Sequence, residues 1–416
     1  MAHPYAELLK DRILRAFWAG LTLSAVGSEL YRVGAIWLAA ELAGPNASLL
    51  VTAQSAAILA VSLLAGPAVE AVPRRAFLIG TEVVSAVIGG AIVVVAVVAG
   101  LKFWMLVAAS VLLSAIGVMA RPVFLSSLPT LVPGRVRETN GLFDSSVRIA
   151  QALGPFLAAA VLKVWPALVL LAANAVTFLA SAAAVAVVGR RLDAGRSETA
   201  TTAPGVLRRL GRGVAAANGC PGIWGVLIAT GLRGGGYALG YSVAVPVLFS
   251  QQAGGGGLGA VALIYGAGAT AEVISTPLLV LTRPARPLRR LFQGYIMIGA
   301  SLAALGAAAA LPPGLQIAAM AGAAILVGVG NSISTLQITT FFATRLPGDD
   351  YAAVLRLRMV TIVGSMALTT AAGPWILKAL GTSQTIIACG LVGMAAGVVG
   401  ALARPARELG PNFETA

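Results

Sequence analysis

Apolar residues in this chain run in unbroken blocks of about twenty, the length a helix needs to cross the ~30 Å hydrocarbon core of a bilayer. The stretch from Val83 to Ala99 carries no charge at all, and similar stretches recur to the end of the sequence. Over 416 residues, 58% are hydrophobic and 11% charged. A soluble domain carries roughly 25% charged residues, so this chain could not cover a water-exposed surface. Continuous apolar blocks also exclude a transmembrane β-barrel, whose strands show short alternating patterns. The expected class is an all-α membrane protein with twelve transmembrane helices. The crossings fall near 16–40, 47–69, 76–100, 103–127, 139–162, 166–188, 222–249, 257–281, 291–311, 315–341, 353–377 and 381–403.

The charge balance sets orientation. The net charge is +14, yet the basic residues sit in short loops between apolar blocks, which is not the pattern of a nucleic-acid-binding face. With both termini in the cytoplasm, only Lys102, Lys163 and Lys378 fall in loops on the opposite side. Basic loops stay on the cytoplasmic side during insertion, so both termini are expected there. The polar stretch from Gly189 to Gly219, rich in arginine, separates two sets of six crossings. The expected organisation is a six-helix bundle over 1–188, a cytoplasmic linker over 189–221, and a second six-helix bundle with a short tail over 222–416. Residues 206–214 mix Leu and Val with Arg, which fits either a short amphipathic helix or a plain solvated linker.

The two halves echo each other. Phe17-Trp18 and Tyr31 recur as Ile223-Trp224 and Tyr237, Arg74-Arg75-Ala76-Phe77 recurs as Arg289-Arg290-Leu291-Phe292, and Leu153-Gly154-Pro155 recurs as Ala372-Gly373-Pro374. The separations, 206, 215 and 219 residues, are nearly constant and the order is kept, which points to a duplicated six-helix unit.

Two motifs carry a family resemblance. After the second crossing the chain reads Gly66-Pro67-Ala68-Val69-Glu70-Ala71-Val72-Pro73-Arg74-Arg75. This resembles the G-x-x-x-D-R-x-G-R-R signature of the major facilitator superfamily, with Glu70 for Asp, Ala71 for Arg and Pro73 for Gly. In the fifth crossing, Ala150-Gln151-Ala152-Leu153-Gly154-Pro155-Phe156-Leu157-Ala158-Ala159 is similar to the G-x-x-x-G-P-x-x-G-G motif of that superfamily's proton-coupled exporters. Pro122, Leu128-Pro129, Leu131-Val132-Pro133 and Asn140-Gly141-Leu142 follow the spacing of the branch holding macrolide-efflux and enterobactin-export proteins. The resemblance implies a major facilitator fold, two pseudo-symmetric bundles rocking about a central cavity lined by the first, fourth, seventh and tenth helices. It implies a cytoplasmic gate at Gly66, Glu70, Arg74 and Arg75 and a helix-packing motif at Gly154 and Pro155.

Charges inside crossings bear most directly on function, because each costs roughly 2.5–3.5 kcal/mol and persists only with a partner or a wet cavity. Glu29 and Arg32 share one face of the first helix, and Glu29 is the first candidate proton carrier. Arg233, Tyr237 and Tyr241 form an i, i+4, i+8 stripe on the seventh helix, suited to an anionic or aromatic group. Asp144 and Arg148 repeat the i, i+4 pattern on the fifth, followed by Gln151. Glu272, one heptad from Tyr265 on the eighth helix, is a second proton carrier, and Asn331 belongs to a polar patch on the tenth. Proton coupling is thus expected at Glu29, Glu272 and Asp144. Substrate contact is expected at Arg32, Arg233, Tyr237, Tyr241, Arg148, Gln151, Tyr265 and Asn331. Arg121 is either a cavity residue or a snorkelling one, and Glu82, near a helix end, reads as structural.

His3 is the one histidine, and Cys220 and Cys389 lie in different segments, so neither a metal site nor enzymatic chemistry is expected. The Gly-rich runs contain no GxxxxGK[ST] sequence, so no nucleotide cofactor is expected and an ion gradient would supply the energy. The resulting expectation is a monomeric inner-membrane exporter, bacterial by its arginine-over-lysine usage, whose partners are the lipid bilayer, protons and a small organic molecule. An acidic siderophore or metallophore and a drug are the two cargo classes. Composition does not give direction, so a proton-coupled importer of the same fold is the alternative.

Overall fold

The computed structural model describes residues 4–64, 73–132, 134–192, 206–252, 257–282, 284 and 286–403, and every regular element among them is helical. The chain runs α1 (Pro4–Leu8), α2 (Arg12–Ala43), α3 (Ser48–Leu64), α4 (Arg74–Ala99), α5 (Phe103–Leu131), α6 (Val136–Val161) and α7 (Leu168–Val188). After the linker come α8 (Val206–Gly219) and α9 (Ile223–Gly236), a π-helix (Tyr237–Val243), then α10 (Ala244–Ser250) and α11 (Gly257–Val280). The chain closes with α12 (Pro287–Ala307), α13 (Pro313–Arg345), α14 (Gly348–Ala371), α15 (Gly373–Leu380) and α16 (Thr382–Leu402).

Nine stretches among the described residues are long and apolar enough to span a membrane, and the first, Arg12–Leu64, contains two helices. The two expected crossings missing from that set are informative. One is α6, which carries Arg137, Glu138, Asp144 and Arg148. The other is the seventh crossing, which the π-helix divides. Departures from a plain apolar helix fall where function was expected.

The contacts divide the chain into two units, Met1–Leu42 with Ala60–Ala203, and Ala43–Leu59 with Pro204–Ala416. The start of α3 therefore belongs to the second unit, where the Thr52 hydroxyl donates to Thr370 Oγ1 at 2.9 Å.

In the first unit, α2 meets α7 along a glycine seam. Gly20, Gly27 and Gly34 are seven residues apart and face Ala184, Thr177 and Leu170, with no room for a Cβ at the first two. Lipid supplies no hydrophobic drive between helices, so close backbone approach of this kind sets the packing. Below the seam, the rings of Phe17, Phe124 and Phe143 form a core with centroids 5.3–6.0 Å apart. In the second unit, α12 and α16 approach through Gly299 and Gly390, each pressed on the other helix's backbone.

The duplicated glycines of the two Gly-Pro pairs each abut the first crossing of their own half, while the duplicated tryptophans differ in partner. Gly154 of α6 abuts Glu29 of α2, the first crossing. Gly373, at the break between α14 and α15, abuts Leu239 of the seventh crossing and Ser48. Trp18 Nε1 donates to Ser146 Oγ at 2.6 Å, and Trp224 Nε1 donates to Asn218 Oδ1 at 2.8 Å. Helix α6 continues through Pro155, whereas its counterpart breaks at Ala372.

Linker residues 206–219 form the helix α8, which seats Gly213 on the Ala353 carbonyl of α14. Arg212 on α8 reaches Asp349 at 3.3 Å and Asp350 at 3.0 Å in the first turn of α14. Those two acids also complement the positive end of that helix.

Candidate functional site

Two pairs of the charges expected within the first unit's crossings are neutralised on their own helices. Arg32 Nε donates to Glu29 Oε2 at 2.7 Å, and Arg148 Nε donates to Asp144 Oδ2 at 2.8 Å. The pairs differ in setting. The Glu29 side chain is 13% exposed against the Gly154 seat, while that of Asp144 is 61% exposed.

A cavity of about 530 Å³ opens among α2, α4, α5, α6 and α7, and its wall includes Glu82, Arg121, Phe124, Asn140 and Asp144. Of the sequence-expected residues in this unit it collects Asp144, with Arg121 beside it. Glu29, Arg32, Arg148 and Gln151 lie outside its wall. Glu82 departs most from expectation. It reads in sequence as a structural acid near a helix end, yet it faces this hollow, and its Oε2 is buried without a hydrogen-bond partner. The buried Ser181 hydroxyl of α7 lies beside the Glu82 carboxyl. A mostly apolar hollow with a few ionisable groups is the usual make-up of a small-molecule site.

In the second unit Arg233 is the centre. Its Nη1 donates to Asn331 Oδ1 of α13 at 3.1 Å, and its guanidinium carbon lies 5.3 Å from the centre of the Tyr295 ring of α12. Tyr295 is itself fixed, sharing a 2.6 Å hydrogen bond with the Thr230 hydroxyl one turn before Arg233. Arg358 of α14 lies within electrostatic reach of Arg233, Tyr295 and Tyr351. Tyr295 and Arg358 escape sequence reasoning for physical reasons. A tyrosine amid apolar residues has no distinguishing neighbour in the sequence, and Arg358, beside Arg356, reads as one more charge at the start of the eleventh crossing.

The expected stripe of Arg233, Tyr237 and Tyr241 is split. Ring centroids of Tyr237 and Tyr241 are 4.9 Å apart, and those of Tyr241 and Tyr265 are 5.0 Å apart. Arg233, however, turns to Asn331 and Tyr295. Tyr241 and Tyr265 are buried, at 5% and 4% exposure, and their hydroxyls are committed to backbone. Tyr265 donates to the carbonyls of Tyr241 and Ser242 at 3.0 and 3.1 Å, and Tyr241 donates to that of Ile264 at 3.3 Å. A π-helix replaces the ordinary i→i+4 ladder locally, and the Tyr265 hydroxyl bonds carbonyls of that segment. Glu272 of α11 is half-buried, and its carbonyl accepts from the Ser332 hydroxyl at 3.0 Å.

At the expected gate, Arg74 and Arg75 open α4. Arg75 Nη2 donates to the Ala186 carbonyl at 3.4 Å, in the last turn of α7, where a cation complements the helix dipole. Gly66 and Glu70 lie outside the described residues.

Known proteins resemble this arrangement in fold. A bacterial homologue of the human lysosomal transporter Spinster superposes with a TM-score of 0.69 at 12% identity, covering 98% of each chain. A bacterial homologue of the iron transporter ferroportin gives 0.63 at 17%, covering 94% of this chain and 99% of that one. A POT family transporter gives 0.70 at 11%, covering 94% and 97%. Among curated protein sequences, none matches the chain. The family model of the Major Facilitator Superfamily matches residues 17–362, most of both units. The chain belongs to the Major Facilitator Superfamily and is a membrane transporter of that type.

Proposed function

We propose that this transporter exports a small organic molecule from the cytoplasm in exchange for protons, by alternating access. The observation that carries the reading is the first unit's cavity, where Glu82, Arg121 and Asp144 line one hollow among five helices. Ionisable groups that line a cavity among membrane helices mark substrate and proton pathways. Glu29, Glu272 and Asp144 are the proposed proton carriers, and Glu82 joins them by position. Arg233, Asn331 and Tyr237, with Arg32, Arg148 and Gln151, are the proposed substrate contacts, and Gly66, Glu70, Arg74 and Arg75 the proposed cytoplasmic gate. The proposed cargo carries acidic groups, as a siderophore or metallophore does, and the chain works as a monomer in a bacterial inner membrane with both termini cytoplasmic.

The test has two stages. Cells lacking the protein should accumulate its cargo, which metabolite profiling identifies. That compound, labelled and offered to inverted vesicles acidified inside, should then concentrate within them. Accumulation indifferent to the imposed gradient rejects proton exchange, and loss of the compound from those vesicles on acidification reverses the direction.

A further inference from the structure

We infer that Arg233 and Arg358 form a binding site for an oxyanion, a carboxylate or phosphate group, inside the second unit. Arg233 is positioned from two directions, by Asn331 at one terminal nitrogen and by the Tyr295 ring beneath its plane. Its Nε stays buried with no hydrogen-bond partner, and so does the Nε of Arg358. A guanidinium presents five donors in a rigid fork that matches two oxygens at once, so a held fork with unused donors fits a planar or tetrahedral oxyanion.

The charge balance points the same way. Arg358 and Arg233 are close enough to repel, and no carboxylate pairs with either among the described residues. The acids that could have neutralised them are placed elsewhere. Asp349 and Asp350, at the start of the helix that carries Arg358, are turned to Arg212, and Glu272 makes no ion pair among the described residues. Two like charges with no carboxylate partner among the described residues leave the role of counter-ion to a ligand. A neutral or cationic occupant would leave the repulsion unrelieved.

Reading this oxyanion as part of the exported cargo rests on the proposed transport function. Binding at equilibrium needs no gradient, so it can fail or succeed independently of that function. The purified full chain in detergent micelles is unfolded thermally with sodium citrate, sodium benzoate, inorganic phosphate or tetraphenylphosphonium chloride, at ionic strength held constant with sodium chloride. A ligand of the folded state raises its Tm by mass action. At least one oxyanion should raise Tm by several degrees in a saturable way, while tetraphenylphosphonium should not. The citrate and benzoate arms separate a carboxylate preference from a phosphate one. Arg233→Gln and Arg358→Gln should each abolish the shift. Each variant should also unfold at a higher temperature than the parent in chloride alone, because an uncompensated charge has left the membrane interior. That gain separates loss of the site from misfolding. The inference is overturned if no oxyanion acts beyond chloride, if the shift survives both substitutions, or if both variants are less stable than the parent without a probe.

Discussion

A Cβ on Gly154 would fall inside the volume of the Glu29 side chain, so one missing carbon holds the fifth crossing against the first. Overpacking a seat of this kind costs about 1–3 kcal/mol. Gly154→Leu should therefore lower the Tm of the purified protein, and Gly90→Leu, at a glycine with open space around it, should not. Glu82 gives a second prediction at the same scale. Glu82→Gln keeps the shape and leaves a neutral amide beside the buried Ser181 hydroxyl, so the fold should hold, with Tm equal to or above the parent's. Gradient-driven accumulation in inverted vesicles should fall at least tenfold by analogy with other proton-transfer groups. A variant that transports normally removes Glu82 from the coupling. The Glu29–Arg32 and Asp144–Arg148 pairs were legible in sequence because i, i+3 and i, i+4 neighbours share a helix face whatever surrounds them. Glu82 was not, because its importance depends on a hollow that five helices make together.

The π-helix is the feature of the elements that spacing could not show. Arg233, Tyr237 and Tyr241 have the periodicity of one stripe, but the wider turn over Tyr237–Val243 changes the register part-way along it. Gly236 and Gly240 bring that segment against Cys389 of α16, and Tyr265 supplies the hydrogen bonds to its carbonyls. Leaving buried acceptors unsatisfied costs about 1–3 kcal/mol. Tyr265→Phe keeps the ring stack and removes the hydroxyl, so amide exchange should speed up over residues 237–243. Exchange in α13 should stay unchanged, and uniform acceleration through both would show a general loss of stability instead. The long apolar helices were legible because hydropathy alone determines them. The break at Ala372 was not, since the matching Gly154-Pro155 leaves α6 intact; neighbouring contacts decide whether a Gly-Pro pair bends or interrupts.

Orientation belongs to the whole molecule, and it follows from charge rather than from packing. Basic loops resist translocation during insertion, and here the long arginine-rich linker and the Arg289-Arg290 pair oppose three single lysines. Lys102, Lys163 and Lys378 should therefore face the outside, with Arg208 and Arg289 facing the cytoplasm. The assay places one cysteine at a time in a background lacking Cys220 and Cys389. Removing Cys220 matters even though burial pushes its thiol up, against the opposing pull of Arg345, because slow labelling would still accumulate. In intact cells a membrane-impermeant maleimide should label Lys102→Cys, Lys163→Cys and Lys378→Cys. Arg208→Cys and Arg289→Cys should react only after the membrane is permeabilised. Because consecutive loops must alternate, a single lysine position that labels only after permeabilisation would change the crossing count before it, and the reverse pattern at all five would invert the protein. The inverted pattern would also exchange the faces assigned to loading and release, turning the proposed exporter into an importer with the same site.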